Sequence, residues 1–210
     1  MAFMKRGLIQ KRVLAIALLL PLSVSAQTFI YDQQSSDESR AGTGGVIIQN
    51  AQPTGQSFMP TLNQVGFVRL ELFDSNNNNG LGATLYVNLR SGSLTGPIIG
   101  TSALVTLPDS FGLAASNQFV NFFFANPISV QPGTTYFFQP VVQSGDPWWV
   151  DGAIFYYSRG SGYTYGSDNY NWDYWFREGI VVPEPSLLAL AAVGIGIATL
   201  SRRRFAPGLL

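Results

Sequence analysis

Asp146, Asp151, Asp168, Asp173 and Glu178 crowd one short stretch of the chain, and they define the chemistry the residue types leave open. Two carboxylates across a glycosidic bond can serve as acid and as base or nucleophile. No spacing marks two of these five as a pair, and most stand in turn-like contexts where a solvated Asp is ordinary. The chain has no cysteine and no histidine. That removes Cys and Cys/His zinc sites, Ser-His-Asp and Cys-His nucleophiles, and every disulfide. Carboxylate, tyrosine, arginine and serine chemistry remains.

Oxygen-rich clusters raise a calcium reading. Asp168, Asn169, Asn171 and Asp173 form one, with Asp168 and Asp173 as its candidate ligands. The run from Asp74 through Asn76 and Asn79 to Gly80 forms another. It fails the EF-hand pattern, because Asn79 stands where Gly is needed and Leu85 where a bidentate Glu is needed. The expectation there is a hairpin loop of Asn and Gly.

Rings accumulate over 148–176: Trp148, Trp149, Tyr156, Tyr157, Tyr163, Tyr165, Tyr170, Trp172, Tyr174 and Trp175. Tyr163, Tyr165, Tyr170, Trp172 and Tyr174 lie among Gly, Ser and Asn, which reads as exposed loop. Two readings stay open. The rings line a core and its rim, or they stack on sugar rings whose hydroxyls the neighbouring polar groups take.

The elements that must position these residues read as strands. Positions 65–73 alternate Val68, Leu70 and Leu72 against Arg69 and Glu71, and 84–90 alternate Leu85, Val87 and Leu89 against Tyr86, Asn88 and Arg90. Both are period-2 runs with one apolar face. The stretches 98–107, 119–124, 136–142 and 148–157 are rich in β-branched and aromatic residues. Gly, Pro, Asn and Asp punctuate them. The expected architecture is all-β: a single antiparallel β-sandwich, jelly-roll-like, over 27–182. The stretch from Asn126-Pro127 to Gln131-Pro132-Gly133 is similar in style to the strand–PG–strand corner of bacterial surface and carbohydrate-binding sandwiches.

The two ends have a different character. Lys5, Arg6, Lys11 and Arg12 precede an apolar run, and Val24-Ser25-Ala26 supplies small residues. This is the pattern of a signal peptide over 1–26, cut after Ala26. At the other end Pro183, Glu184 and Pro185 precede an apolar run over about 186–201, then Arg202, Arg203 and Arg204, then a short tail, 205–210. As a helix that run rises roughly 24 Å, short of the ~30 Å hydrocarbon core. Snorkelling arginines and local thinning close the gap. The three arginines favour a cytoplasmic C-terminus.

The ends hold seven of the twelve cations and one of the twelve acids. The 27–182 body therefore carries five arginines, no lysine and eleven carboxylates, a net charge of −6. Scattered arginines on an acidic body argue against nucleic acid as a partner.

The succession Pro183-Glu184-Pro185, apolar helix, Arg202-Arg203-Arg204 resembles the PEP-CTERM sorting signal of Gram-negative bacteria, similar in logic to the sortase signal of Gram-positive cells. The resemblance covers about the last 25 residues; the tail beyond the arginines is longer than is usual in that family. It implies recognition by exosortase, an integral-membrane protease. It further implies anchorage in the inner membrane by the C-terminal helix before processing, then delivery to the cell surface or extracellular matrix of a cell that makes exopolysaccharide. The expectation for the whole is an exported, non-enzymatic surface or matrix protein. A glycan-binding module on exopolysaccharide, calcium-assisted or not, is the alternative. A carboxylate-dependent glycoside-active enzyme is a more distant one.

Overall fold

The computed structural model describes residues 27–39, 42, 44–113, 118–153, 157–170 and 172–183. The expected signal peptide, Glu184, Pro185, the C-terminal apolar run and Arg202, Arg203 and Arg204 lie outside the described residues, as do Tyr156 and Asn171.

Gln27–Pro183 is one compact unit. Among the described residues thirteen strands follow in order: β1 (Gln27–Gln34), β2 (Gly45–Ile47), β3 (Gly55–Phe58), β4 (Gln64–Asp74), β5 (Ala83–Ser91), β6 (Ile98–Thr101), β7 (Val105–Leu107), β8 (Phe119–Ser129), β9 (Tyr136–Gly145), β10 (Trp148–Asp151), β11 (Gly162–Thr164), β12 (Ser167–Asn169) and β13 (Phe176–Pro183). No helix occurs among the described residues.

The strands form two antiparallel sheets. In the first, β4 is central: β8 pairs along one edge, and β13 and β10 share the other, continued outward by β1 and β2. The second runs β12-β11-β3-β9-β5, with β6 and β7 both on the far edge of β5. The two sheets share one hydrophobic core. Val68, Leu70, Leu72, Phe122, Trp148 and Phe176 enter it from the first sheet, and Phe58, Leu85, Val87, Leu89 and Phe138 from the second. Rings cross the interface, with Phe138 and Phe176 centroids 5.2 Å apart. The alternation over β4 and β5 thus places its apolar face inward. A buried aliphatic or aromatic side chain of this kind stabilises by about 1.5–3 kcal/mol.

Two connections differ from the sequence reading. Residues 75–82 do not close a hairpin, because β4 and β5 lie in different sheets. The segment arches between layers, and carboxylates hold it: Asp74 accepts the N–H groups of Asn76 and Ser110, both at 2.9 Å, and Asp109 that of Gly80 at 2.8 Å. Asn78 and Gly80 take positive φ, which Asn and Gly tolerate. The 98–107 run is two short strands, because it crosses to the other layer's edge at Ser102, which bridges Phe124. The corner after β8 also passes between sheets. There Tyr136 closes it by accepting the Gln131 N–H on its hydroxyl at 2.9 Å, as a tyrosine corner does.

A strap covers the outer face of the first sheet. It leaves β1 at Ser35, whose N–H and hydroxyl reach the Phe176 and Tyr174 carbonyls. The Asp37 carbonyl accepts from the Trp175 indole at 3.3 Å. Glu38 pairs with Arg69 at 2.8 Å and Arg177 at 3.5 Å. Gly42 and Gly44 then donate to Glu71 and Asp151 at 2.7 and 2.9 Å.

Candidate functional site

The five aromatic residues singled out from sequence divide sharply in the fold. Tyr165 and Tyr170 are 69% and 80% exposed. Tyr163 is half-buried, its ring edge-on to Phe137 at 5.7 Å. Trp172 is wedged in place: a Cβ on Gly152 or Gly162 would approach its indole to 2.3 or 2.8 Å. Its ring also meets Tyr174 edge-on at 4.5 Å. Tyr174 corrects the sequence reading. It is fully buried, its hydroxyl hydrogen-bonded to Thr54 and to the Tyr163 carbonyl, and it presents no face to a ligand. Burial pushes that hydroxyl's pKa well above the usual tyrosine range, with the Thr54 contact opposing it. The stretch around Tyr163 and Tyr165 is likewise not loop but the β11–β12 hairpin.

The turn of that hairpin is unusual. Tyr165 and Gly166 both have positive φ, 54° and 73°. This left-handed pair suits a tight hairpin turn, but a tyrosine there is strained by about 1 kcal/mol. The turn is clamped from beneath: the Tyr165 and Gly166 N–H groups donate to the Ala51 and Pro53 carbonyls, both at 2.8 Å.

Beside the clamped ring lies a groove of about 240 Å³, lined by Gly45, Val46, Ile47, Asn50, Ala51, Trp149 and Tyr165. Trp148 and Trp149 show the period of a strand: the first is fully buried in the core, the second faces outward and stacks on Phe73 at 5.8 Å with 9° between planes. Trp149 and Tyr165 thus bring two rings to one groove with the Asn50 amide, and no charged residue lines it. Trp149 belonged to the aromatic stretch in the sequence. Asn50 carried no signal there, being distant in the chain and joined to the rings only by folding.

The carboxylates are mostly structural. Asp173 is buried, and its two oxygens accept from Gln56 Nε2 at 2.6 Å and the Tyr157 N–H at 2.8 Å. Burial raises its pKa, and those two bonds pull the other way. Asp168 lies on exposed β12, opposite Tyr163. Asp173 and Asp168 therefore face different surroundings. Among the described residues no three acidic side chains gather as a metal-binding group.

Two carboxylate pairs emerge that the sequence did not mark. Glu71 and Asp151 meet beneath the strap at Gly42, where a Cβ would approach the Asp151 carboxylate to 2.5 Å. Gln118 donates to Glu71 at 2.5 Å. Burial, with a contribution from the Asp151 charge, moves Glu71 up to about 7 against the Gly42 bond. Burial also raises Asp151. The second pair is Asp32 and Glu178. Asp32 is the extra residue of a bulge between Tyr31 and Gln33 in the β1–β13 ladder. Its carboxylate accepts from the Thr61 and Leu62 N–H groups at 2.7 and 2.8 Å. Burial pulls its pKa up, but these bonds, the Thr61 hydroxyl and the Gln33 amide outweigh it and lower it. Glu178 is fully buried with no well-formed hydrogen bond to either oxygen. Burial first, then the Asp32 charge, moves it up to about 9, so it carries a proton at neutral pH. Neither pair lines the groove at Trp149 and Tyr165.

No protein-family model, curated protein or solved structure matches this chain. Its site is therefore read from geometry alone.

Proposed function

We propose that this chain is an exported, non-enzymatic protein of the cell surface or extracellular matrix. Its route runs through the C-terminal signal of Pro183, Glu184, Pro185 and Arg202, Arg203, Arg204, with an exosortase-type membrane protease as processing partner. The C-terminal helix holds it in the inner membrane until then. One observation carries this reading: Pro183-Glu184-Pro185, an apolar run and Arg202-Arg203-Arg204 follow one another directly after the last strand. Gln27 and Pro183, the first and last residues of the sandwich, are register partners in adjacent strands. The sandwich itself we read as jelly-roll-like, because the chain crosses between layers after β4 and again after β8.

The test is envelope fractionation of the full-length tagged chain against an Arg202→Glu, Arg203→Glu, Arg204→Glu variant. Loss of envelope retention is expected; unchanged localisation overturns the sorting reading.

The groove at Trp149 and Tyr165 favours a second reading, a glycan contact. Gly179 pairs with Phe67 of β4, and Trp149 pairs with Phe73 of the same strand. At ~3.3 Å per residue the groove lies about 30 Å along β4 from the Gln27–Pro183 pair. Two rings and an amide at the far end of β4 suit stacking on a sugar, with exopolysaccharide as the natural ligand. Retention of the detergent-solubilised full-length chain on immobilised polysaccharide, with and without EDTA, tests both the contact and any calcium assistance. Trp149→Ala should abolish retention; retention that ignores this change sinks the groove as the site.

A further inference from the structure

Arg90 has no counter-ion among the described residues. Among the described residues the ion pairs join Arg69 and Arg177 to Glu38, and no carboxylate lies within pairing distance of Arg90. Yet its guanidinium is held firmly. Nε donates to Gln139 Oε1 at 2.8 Å, and Nη1 donates to the Gly96 carbonyl at 2.6 Å. Gln139 is held in turn through its Nε2 by Gln52 Oε1 at 2.8 Å, and Gln52 Nε2 by the Pro140 carbonyl at 3.0 Å. Two of the five guanidinium N–H donors are used to orient the group. One Nη1 hydrogen and both Nη2 hydrogens have no protein acceptor among the described residues, and such guanidinium donors match a carboxylate.

Arg90 borders a groove of about 320 Å³ lined also by Gln52, Pro53, Leu94, Thr95 and Gln139. No acidic residue lines it. This groove and the one at Trp149 lie on the two sides of a single short loop: Asn50 and Ala51 line the first, Gln52 and Pro53 the second. The clamped turn at Tyr165 and Gly166 sits on that loop. Four residues span at most about 14 Å, so one oligosaccharide can reach both sides.

We propose that the Arg90 groove is a subsite for a sugar carboxylate, so that the glycan recognised is a uronate-containing polysaccharide. This rests on the glycan reading of the Trp149 groove and adds the ligand's charge to it. The net charge of −6 on the body opposes a polyanion at long range. In physiological salt that repulsion is screened beyond about 8 Å, whereas a guanidinium already held by Gln139 and Gly96 beside a groove keeps its contact.

The experiment compares retention of the full-length chain on polygalacturonate and on its carboxyl-reduced derivative. The polyuronate should be held about tenfold more strongly, the expected effect of one charge-assisted pair. Arg90→Gln should bring the two polymers level without lowering retention on the reduced one. Thr95→Asp, on the exposed rim, should do the same with the Arg90 clamp intact, so a folding defect in the arginine variant does not decide the matter. Trp149→Ala should weaken both. Equal, Trp149-dependent retention of both polymers by the unmodified chain overturns the acidic subsite and leaves the glycan groove standing. Retention of neither polymer overturns both.

Discussion

The outer face of the first sheet and the two grooves beside residues 50–53 use the same residue types to opposite ends. Under the strap, Trp175 is fully buried against Phe119 at 4.4 Å, Glu38 balances two arginines, and Glu71 and Asp151 accept from the Gly42 and Gly44 N–H groups. Beside residues 50–53 Trp149 borders one groove with Tyr165 exposed in a strained backbone, and Arg90 borders the other with no ion-pair partner among the described residues. A closed face satisfies its polar groups internally and contributes to stability. An open one leaves a ring, an amide and guanidinium hydrogens exposed at a groove, and such groups have something to give a ligand.

The largest expected effect sets the two regions against each other with one residue type. Trp175→Ala removes a fully buried indole beneath the strap and should cost about 3–5 kcal/mol in urea unfolding. Trp149→Ala should cost about 1 kcal/mol or less. Comparable losses would erase the distinction.

Next comes pH. Glu178 and Glu71 have folded pKa values of about 9 and about 7 against an ordinary 4.5. Their charged forms are disfavoured by folding. Their contribution is therefore fully present below about pH 4.5 and is lost as pH rises through the folded values. Between pH 7 and 9 the decline belongs to Glu178; between 4.5 and 7 both take part. Glu178→Gln should flatten the upper window and raise stability at pH 9 by about 1–3 kcal/mol. Glu71→Gln should flatten only the lower window, its gain in stability persisting above pH 7. Stability that rises from pH 5 to 9 would contradict both assignments.

The strap supplies a smaller effect. A Cβ on Gly42 would come within 2.3 Å of the Gly152 carbonyl, so Gly42→Ala should cost about 1–3 kcal/mol and speed amide exchange at the Trp175 backbone, which bonds Asp151. No change would mean that the strap is not seated there.

The smallest effect is the most diagnostic. Tyr165→Asn places a residue that tolerates positive φ in the turn and should stabilise the fold by about 0.5–1 kcal/mol while weakening glycan retention. A variant that gains stability and keeps its retention would show that the exposed ring has no binding role.

How much of this was legible beforehand depends on what each residue faces. β4 and β5 could be read because each lays one face on the core, so Val68, Leu70 and Leu72, and Leu85, Val87 and Leu89, recur with period two. β1, β2, β3 and β13 could not. Their sequences, such as Gly55–Phe58 and Phe176–Pro183, mix Gly, polar and charged residues, and only partners far along the chain make them strands. In the aromatic stretch the composition announced rings but not their directions. Trp148 and Trp149 are chemically identical, and the pleat alone sends one inward and one out.

Composition and local order by themselves determined the all-β character, the exclusion of thiol and imidazole chemistry, the acidity of the body and the contrast between its ends, because these depend on residue type and near neighbours. Tertiary structure alone decided that the ladder brings Gln27 beside Pro183, that Glu71 and Asp151 share a buried floor, that Tyr174 is sealed while Tyr165 is displayed, and that Arg90 faces a groove without an anion. Each of those facts depends on groups far apart in the chain, and only the stacking of two sheets brings such groups within hydrogen-bond reach.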